Sequence, residues 1–212
     1  MDRLLPRLAI TLPEAGHLEP GSLFSHKPEA YWLEIGFGAG EHLAWQAAQN
    51  RHLGLLGAEV FVNGIASLLA QVEAQGLENV RIYQGDGREL LAVLPDASIA
   101  RAFALFPDPW RKTRHHKRRL VQGETLDELA RVLIDGAELR LASDHQDYLA
   151  WMLEHTTTHP AFEWLARGPA DWRHRPADWP ASRYEQKALA EGRRAAYLRF
   201  RRRPRKPAES AL

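Results

Sequence analysis

YWLEIGFGAGEHLAWQAAQN, residues 31–50, changes periodicity part-way along. YWLEIG is short, apolar and rich in strand formers, as a buried strand is; EHLAWQAAQN sets Leu43, Ala44 and Ala47 on one face of a helix. Gly36, Gly38 and Gly40 occupy the turn between them. Strand, glycine turn, helix is the opening unit of a parallel sheet, because a parallel neighbour is reached only through a crossover.

The unit recurs. HLGLLGAEV is a second strand and VNGIASLLAQVEAQG a helix stopped by Gly76. NVRIYQGD is a third strand, GRELLAVLP a short helix, and IARAFALFPD a fourth strand ending at Asp108. GETLDELARVL is a helix, AELRLASDH a fifth strand ending at Asp144, and QDYLAWMLEHT a helix. Beyond Thr158 the rhythm loosens into a Pro-rich, aromatic stretch before AAYLRFRRR supplies a last strand. The expected class is a three-layer α/β fold with right-handed crossovers, preceded by a short helix and loop in the first 28 residues.

The chain has 212 residues, 45% of them hydrophobic, enough for one domain with a real core. No apolar run approaches the ~18 residues of a membrane span. Arg3, Pro6 and Arg7 interrupt the N-terminal apolar stretch, so no cleaved signal is expected and the cytoplasm is the default compartment. The absence of cysteine excludes disulfides, Cys-ligated zinc and thiol catalysis. A net charge of +1 conceals a division: residues 1–100 carry 6 Lys and Arg against 12 Asp and Glu, residues 101–212 carry 22 against 15. A basic second half implies an anionic partner, with patchy solvated surface the plainer alternative.

Ligands of open α/β sheets bind beyond the carboxyl ends of the strands. Acids collect at those ends: Glu34, Glu59, Asp86, Asp108 and Asp144. The turn is G-x-G-x-G, and Glu41 stands where a dinucleotide fingerprint has its third glycine. An acid at that helix N-terminus repels a pyrophosphate. Glu34 beside the turn instead suits a cationic ligand without phosphates, S-adenosylmethionine. Glu59 fits a ribose hydroxyl or a helix-terminal charge. Asp86 fits an adenine amino group or a helix cap.

Asp108 lies between Pro107 and Pro109 and is followed by Trp110. Such a carboxylate serves either to grip an exocyclic amine or to face a purine whose ring nitrogen becomes cationic on alkylation. Arg111, Lys112, Arg114, Lys117, Arg118 and Arg119 follow at once, a phosphate-binding run rather than an accidental solvated loop. His115 and His116 within it suit base stacking or phosphate contact better than metal, since the i, i+4 ligand spacing is missing.

On LEIGFGAGEHL, GAEVFVNGI, FPDPWRKTRHHKRRLV, ASDHQDY and SRYEQKALAEG, the chain resembles the bacterial tRNA (guanine-N7)-methyltransferase family over residues 31–203. The resemblance implies a Rossmann-like class I methyltransferase domain: a seven-stranded, mostly parallel sheet with a C-terminal antiparallel strand. It implies S-adenosylmethionine as donor, S-adenosylhomocysteine as product, and 7-methylguanosine at position 46 of the tRNA variable loop. Carried over by motif, Gly36, Gly38, Gly40, Glu34, Glu59, Asp86 and Asp108 are cofactor-binding positions, Asp108 also the catalytic one. Lys112, Asp144, Ser182, Arg183, Tyr184 and Glu185 correspond to substrate contacts, and Arg114, His115, Lys117, Arg118 and Arg119 to RNA contacts. Ser182 stands where the family has Thr, which keeps the hydroxyl.

The expected organisation is an extension at 1–30, less basic than the family carries there, a domain at 31–203 with a substrate-binding segment at 159–203, and a basic tail at 204–212. The expected partner is tRNA, with no metal and no membrane, and a monomer is expected with a homodimer as the alternative. The competing functions are methylation of another RNA site or an exocyclic amine, and a non-catalytic RNA-binding partner of the same fold.

Overall fold

The computed structural model describes residues 4–206. Arg3 and the tail residues 207–212 lie outside the described residues. After a short helix α1 (Leu5–Leu8) and a 3₁₀ turn (Pro20–Leu23), the alternation begins: β1 (Tyr31–Ile35), α2 (Glu41–Gln49), β2 (Gly54–Glu59), α3 (Val62–Gln75), β3 (Val80–Gln84), α4 (Gly87–Val93) and β4 (Ile99–Leu105). A second 3₁₀ turn (Thr113–Arg118) leads to α5 (Gly123–Val132), β5 (Leu133–Ser143) and α6 (Gln146–Thr158). The chain closes with β6 (Phe162–Trp164), α7 (Ala170–Arg173), α8 (Arg183–Ala190) and β7 (Ala196–Arg202).

The seven strands form one sheet in the order β3-β2-β1-β4-β5-β7-β6. The first five pair in parallel, and β7 runs antiparallel to both β5 and β6. The direction of strand succession reverses between β1 and β4, so the crevice beyond their carboxyl ends is the switch point where such folds bind ligands.

Successive strand residues face opposite sides of the sheet, and the two faces are covered differently. On one side Leu33, Ile35, Ala102, Leu139 and Phe200 pack with residues of α4, α5 and α6. On the other, Leu55 and Ile82 meet Leu43 of α2 and Leu68 of α3. Over β4, β5 and β7 that second face has no long helix. The stretch between α7 and α8 covers it, inserting Trp179 against Phe103, Ala142 and Tyr197.

The fourth strand stops at Leu105, short of Asp108, because Phe106 turns the backbone to φ 53° and breaks the extended run. The fifth begins at Leu133, ahead of the AELRLASDH stretch, through an irregular register around Ile99 and a left-handed Gly136. β6 has no period-2 signature in the sequence; at three residues it is defined by pairing with β7 rather than by pattern.

Candidate active site

The turn after β1 is built by glycines in left-handed geometry, Gly36 at φ 72° and Gly38 at φ 55°, a region that costs other residues about 1–2 kcal/mol. A Cβ on either would meet nothing within 4 Å, so the backbone there borders open space. The turn is also tied to the end of β2. Gly38 N–H donates to Glu59 Oε2 (2.7 Å), while Glu59 Oε1 accepts from the amides of Val60 (2.8 Å) and Phe61 (3.0 Å).

Two cavities meet at Gly36. One, of about 350 Å³, is lined by Glu34, Phe37, His42, Phe106, Trp179 and Tyr184 among others. The second, of about 200 Å³, is lined by Glu59, Val60, Asp86, Asp108, Trp110 and Arg118 among others. Acids from β1 and β2 and from the loops after β3 and β4 are thus brought to one crevice. Asp144, after β5, is buried just beyond it, ion-paired with Arg193 and accepting from the Tyr184 hydroxyl (3.3 Å).

The acids differ in how they are engaged. Glu34 is 2% exposed and receives a hydrogen bond from His42 Nδ1 (2.7 Å). Asp86 caps α4 by accepting from the Arg88 amide (3.0 Å), and the Arg88 guanidinium holds both its oxygens. That guanidinium keeps the Asp86 carboxyl below the usual carboxylate range, and Asp86 caps the helix while lining the second cavity. Asp108 is exposed and makes no ion pair or side-chain hydrogen bond among the described residues.

The loop that presents Asp108 is strained and strapped down. Phe106 (φ 53°) and Trp110 (φ 43°) are bulky residues in left-handed geometry on either side of the acid. The Phe106 amide donates to Ala142 (2.8 Å), and the Arg118 guanidinium stacks over the Trp110 ring at 4.9 Å. Arg119 Nε donates to the Pro109 carbonyl (2.9 Å).

Arg119 therefore leaves the list of RNA contacts. It is 0% exposed, ion-paired with Asp147, and sandwiched near the rings of Tyr148 (5.0 Å) and Trp151 (4.9 Å). A phosphate cannot reach it. The rest of the run behaves differently: Arg111, Lys112, Arg114, Lys117 and Arg118 are exposed, and none is ion-paired among the described residues. His115 is partly covered, edge-on to Trp110 at 5.9 Å.

The segment 182–185 divides likewise. Ser182 caps α8, accepting from the Glu185 amide (3.1 Å). Arg183 meets Glu41 through its amide (2.7 Å) and its guanidinium, which stays largely exposed at the rim of the larger cavity. Glu185 is held by Arg175 (3.1 Å) and the Tyr197 hydroxyl, so it organises the segment. Tyr184 remains 48% exposed over the larger cavity, its ring 5.3 Å from Phe106. Partial burial, with the nearby charge of Asp108, raises its hydroxyl above the usual range.

A family model described as "Putative methyltransferase" matches residues 28–198. A tRNA (guanine-N(7)-)-methyltransferase of Rhodospirillum rubrum is 52% identical over 210 residues, covering 97% of this chain and 82% of that one. The chain belongs to the tRNA (guanine-N(7)-)-methyltransferase family. A further member, from Paramagnetospirillum magneticum, is 53% identical over 207 residues, covering 97% of this chain and 86% of its own. Among solved structures, an rRNA methylase from Streptococcus thermophilus superposes with a TM-score of 0.57 at 13% identity, covering 82% of this chain and 87% of that one, which shows the shared fold. Against that family background, the residues not anticipated from the sequence are His42, Gln46, Asp178, Trp179 and Arg193. His42 and Gln46 had a signal, polar residues at i, i+4 on a buried helix face that is otherwise apolar; the other three depend on contacts distant in sequence. Among the described residues no group of three or more metal-ligating side chains occurs, and no helix is long and apolar enough to cross a membrane.

Proposed function

We propose that this chain transfers a methyl group from S-adenosylmethionine to N7 of guanine at position 46 in the tRNA variable loop. The observation that carries the proposal is Asp108, an unpaired carboxylate on a strained loop at the switch point, between a crevice lined by acids and a 3₁₀ turn of exposed cations.

The crevice fits the cofactor. Open space beside Gly36 and Gly38 admits a ligand against the backbone, and the larger cavity, extended by the smaller, falls in the size range of small-molecule sites. Glu34 would face its cationic amino-acid end, while Glu59, with a lone pair left on Oε2, would meet the ribose. When bound, the cofactor supplies an electrophilic methyl group on a sulfonium sulfur. Guanine N7 carries an in-plane lone pair, so no residue need remove a proton. Asp108 would accept from the guanine N1–H or amino group and hold the base. Its charge then stabilises the purine more as positive charge builds on the ring, which is the condition for catalysis.

N7 lies in the deep, narrow groove of an A-form helix, so the base must be exposed before it reacts. The Tyr184 ring over the larger cavity offers a stacking surface, and the 159–203 segment supplies that wall. Lys112, Arg114, Lys117 and Arg118 would take the flanking phosphates. One chain holds every residue of this site, so a monomer suffices, working in the cytoplasm beside its substrate.

Incubation with labelled S-adenosylmethionine and unmodified tRNA, followed by nucleoside identification, is expected to yield 7-methylguanosine. Recovery of N6-methyladenosine, or of no labelled nucleoside, would overturn the reading. In the same system Lys117→Ala with Arg118→Ala should weaken tRNA binding and reduce the slope of log K against log salt by ~1 per lost phosphate contact. An unchanged slope would make the run mere surface.

A further inference from the structure

The acid at the end of β1 is not held by the glycine turn. Glu34 is almost fully buried, and its one recorded side-chain hydrogen bond among the described residues comes from His42, in the first turn of α2. His42 is 5% exposed and lines the same cavity as Glu34. The bond continues outward. Gln46 Nε2 lies 3.1 Å from His42 Nε2 and donates to the Asp178 carbonyl (2.8 Å).

That last contact fixes the proton positions. A carbonyl accepts only from a donor, so the Gln46 amide must present its NH₂ group there, and its second N–H points to His42 Nε2. His42 Nε2 therefore accepts, Nδ1 carries the ring proton, and Nδ1–H donates to Glu34. Gln46 therefore donates both ways, outward to the Asp178 carbonyl and inward to His42, and His42 in turn donates to the carboxylate.

The outer end is held by charge. The Asp178 carboxylate is ion-paired with Arg140 Nη1 (2.9 Å) and lies near Arg101 (3.7 Å), on β5 and β4. Trp179 is 4% exposed, its ring 5.4 Å from that of His42 and 5.3 Å from that of Tyr197. Trp179 also lines the cavity that holds Glu34. This stretch connects directly to Ser182 and Tyr184, so the wall facing substrate and the acid facing cofactor share one hydrogen-bonded path.

We propose that His42 is a positioning residue: it orients Glu34 toward the cationic end of S-adenosylmethionine and is held in place by the Asp178–Trp179 latch, so cofactor binding and seating of the 174–190 segment are coupled. The proposal rests on the reading of the crevice as a cofactor site. A buried carboxylate without a donor is costly, and without His42 it would turn away from the cavity to find one.

Titration calorimetry of the full chain with S-adenosylhomocysteine, without tRNA, tests this apart from turnover. His42→Ala is expected to weaken binding about tenfold, the loss of one charge-assisted hydrogen bond. His42→Asn can place an amide N–H where Nδ1–H stood, and is expected to recover most of that loss. S-adenosylhomocysteine should slow tryptic cleavage after the exposed Arg173 in the parent, and fail to do so in His42→Ala at saturating ligand. Should His42→Ala not fold, Gln46→Met cuts the path one bond further out and is expected to lose the tryptic protection while Glu34 keeps its donor. Parental affinity in His42→Ala, or an Asn variant as weak as the Ala variant, would overturn the positioning role. A parent that does not bind S-adenosylhomocysteine would overturn the cofactor reading, and this proposal with it.

Discussion

Asp108→Asn should abolish most methyl transfer and leave the protein standing. The substitution keeps the shape and removes the charge, so the guanine can still be held but its developing cation is no longer opposed. Removing one preorganised electrostatic group of this kind costs about 10²–10³ in turnover. The fold should be indifferent, because the side chain is exposed and unpaired among the described residues, and such positions change stability within about 0.5 kcal/mol. Single-turnover kinetics with tRNA, beside a thermal melt and S-adenosylhomocysteine binding, separate these effects. Turnover above about a tenth of parental, an effect under 1.4 kcal/mol, would remove Asp108 from the chemistry.

Arg119→Ala should do the reverse, damaging the fold first. The side chain is fully buried, bonds the Pro109 carbonyl, pairs with Asp147 and packs between Tyr148 and Trp151. Truncation leaves a cavity and an unsatisfied carbonyl together, about 2–4 kcal/mol. In a chain of this size that lowers Tm by roughly 5–15 °C. It also frees the loop on which Phe106 and Trp110 are held in unfavourable geometry at ~1–3 kcal/mol each. Arg118→Ala, one residue earlier, should melt near the parent and lose tRNA affinity instead. Equal melting temperatures for the two variants would show that Arg119 is no strap.

That adjacent pair marks how far the sequence could be read. The β1–α2 unit, the acids at strand ends and the basic run were all legible, because each is a local pattern: a periodicity, a turn residue, a cluster of charge. Arg118 and Arg119 have the same chemistry and the same setting in sequence, yet one meets solvent and the other the core. What separates them is α6, nearly thirty residues on, which brings Asp147 and Trp151 beneath the loop. The ion pair of Arg183 was hidden for the same reason, since its partner Glu41 lies 142 residues away. Asp178 and Trp179 sat in a Pro-rich stretch with no period at all, and their role comes wholly from the sheet face they cover. Asp86 was readable both as a cap and as a ligand contact; it caps α4 through the Arg88 amide and still lines the second cavity.

The position of β7 has a consequence for how the protein is made. Among the described residues the last strand in sequence is not the last strand of the sheet: it lies between β5 and β6, and it is the one strand that pairs with β6. A ribosome delivers β1 to β5 first, and those five parallel strands with α2 to α6 can pair while β5 still presents an open edge. Arg193, which closes on Asp144, and the strand that seats it emerge only at the end. The nascent chain thus builds its donor-side half early and acquires the acceptor-side wall last. Until then an unpaired edge is exposed beside the half-built crevice, and the final strand seals the edge and completes the crevice in one event.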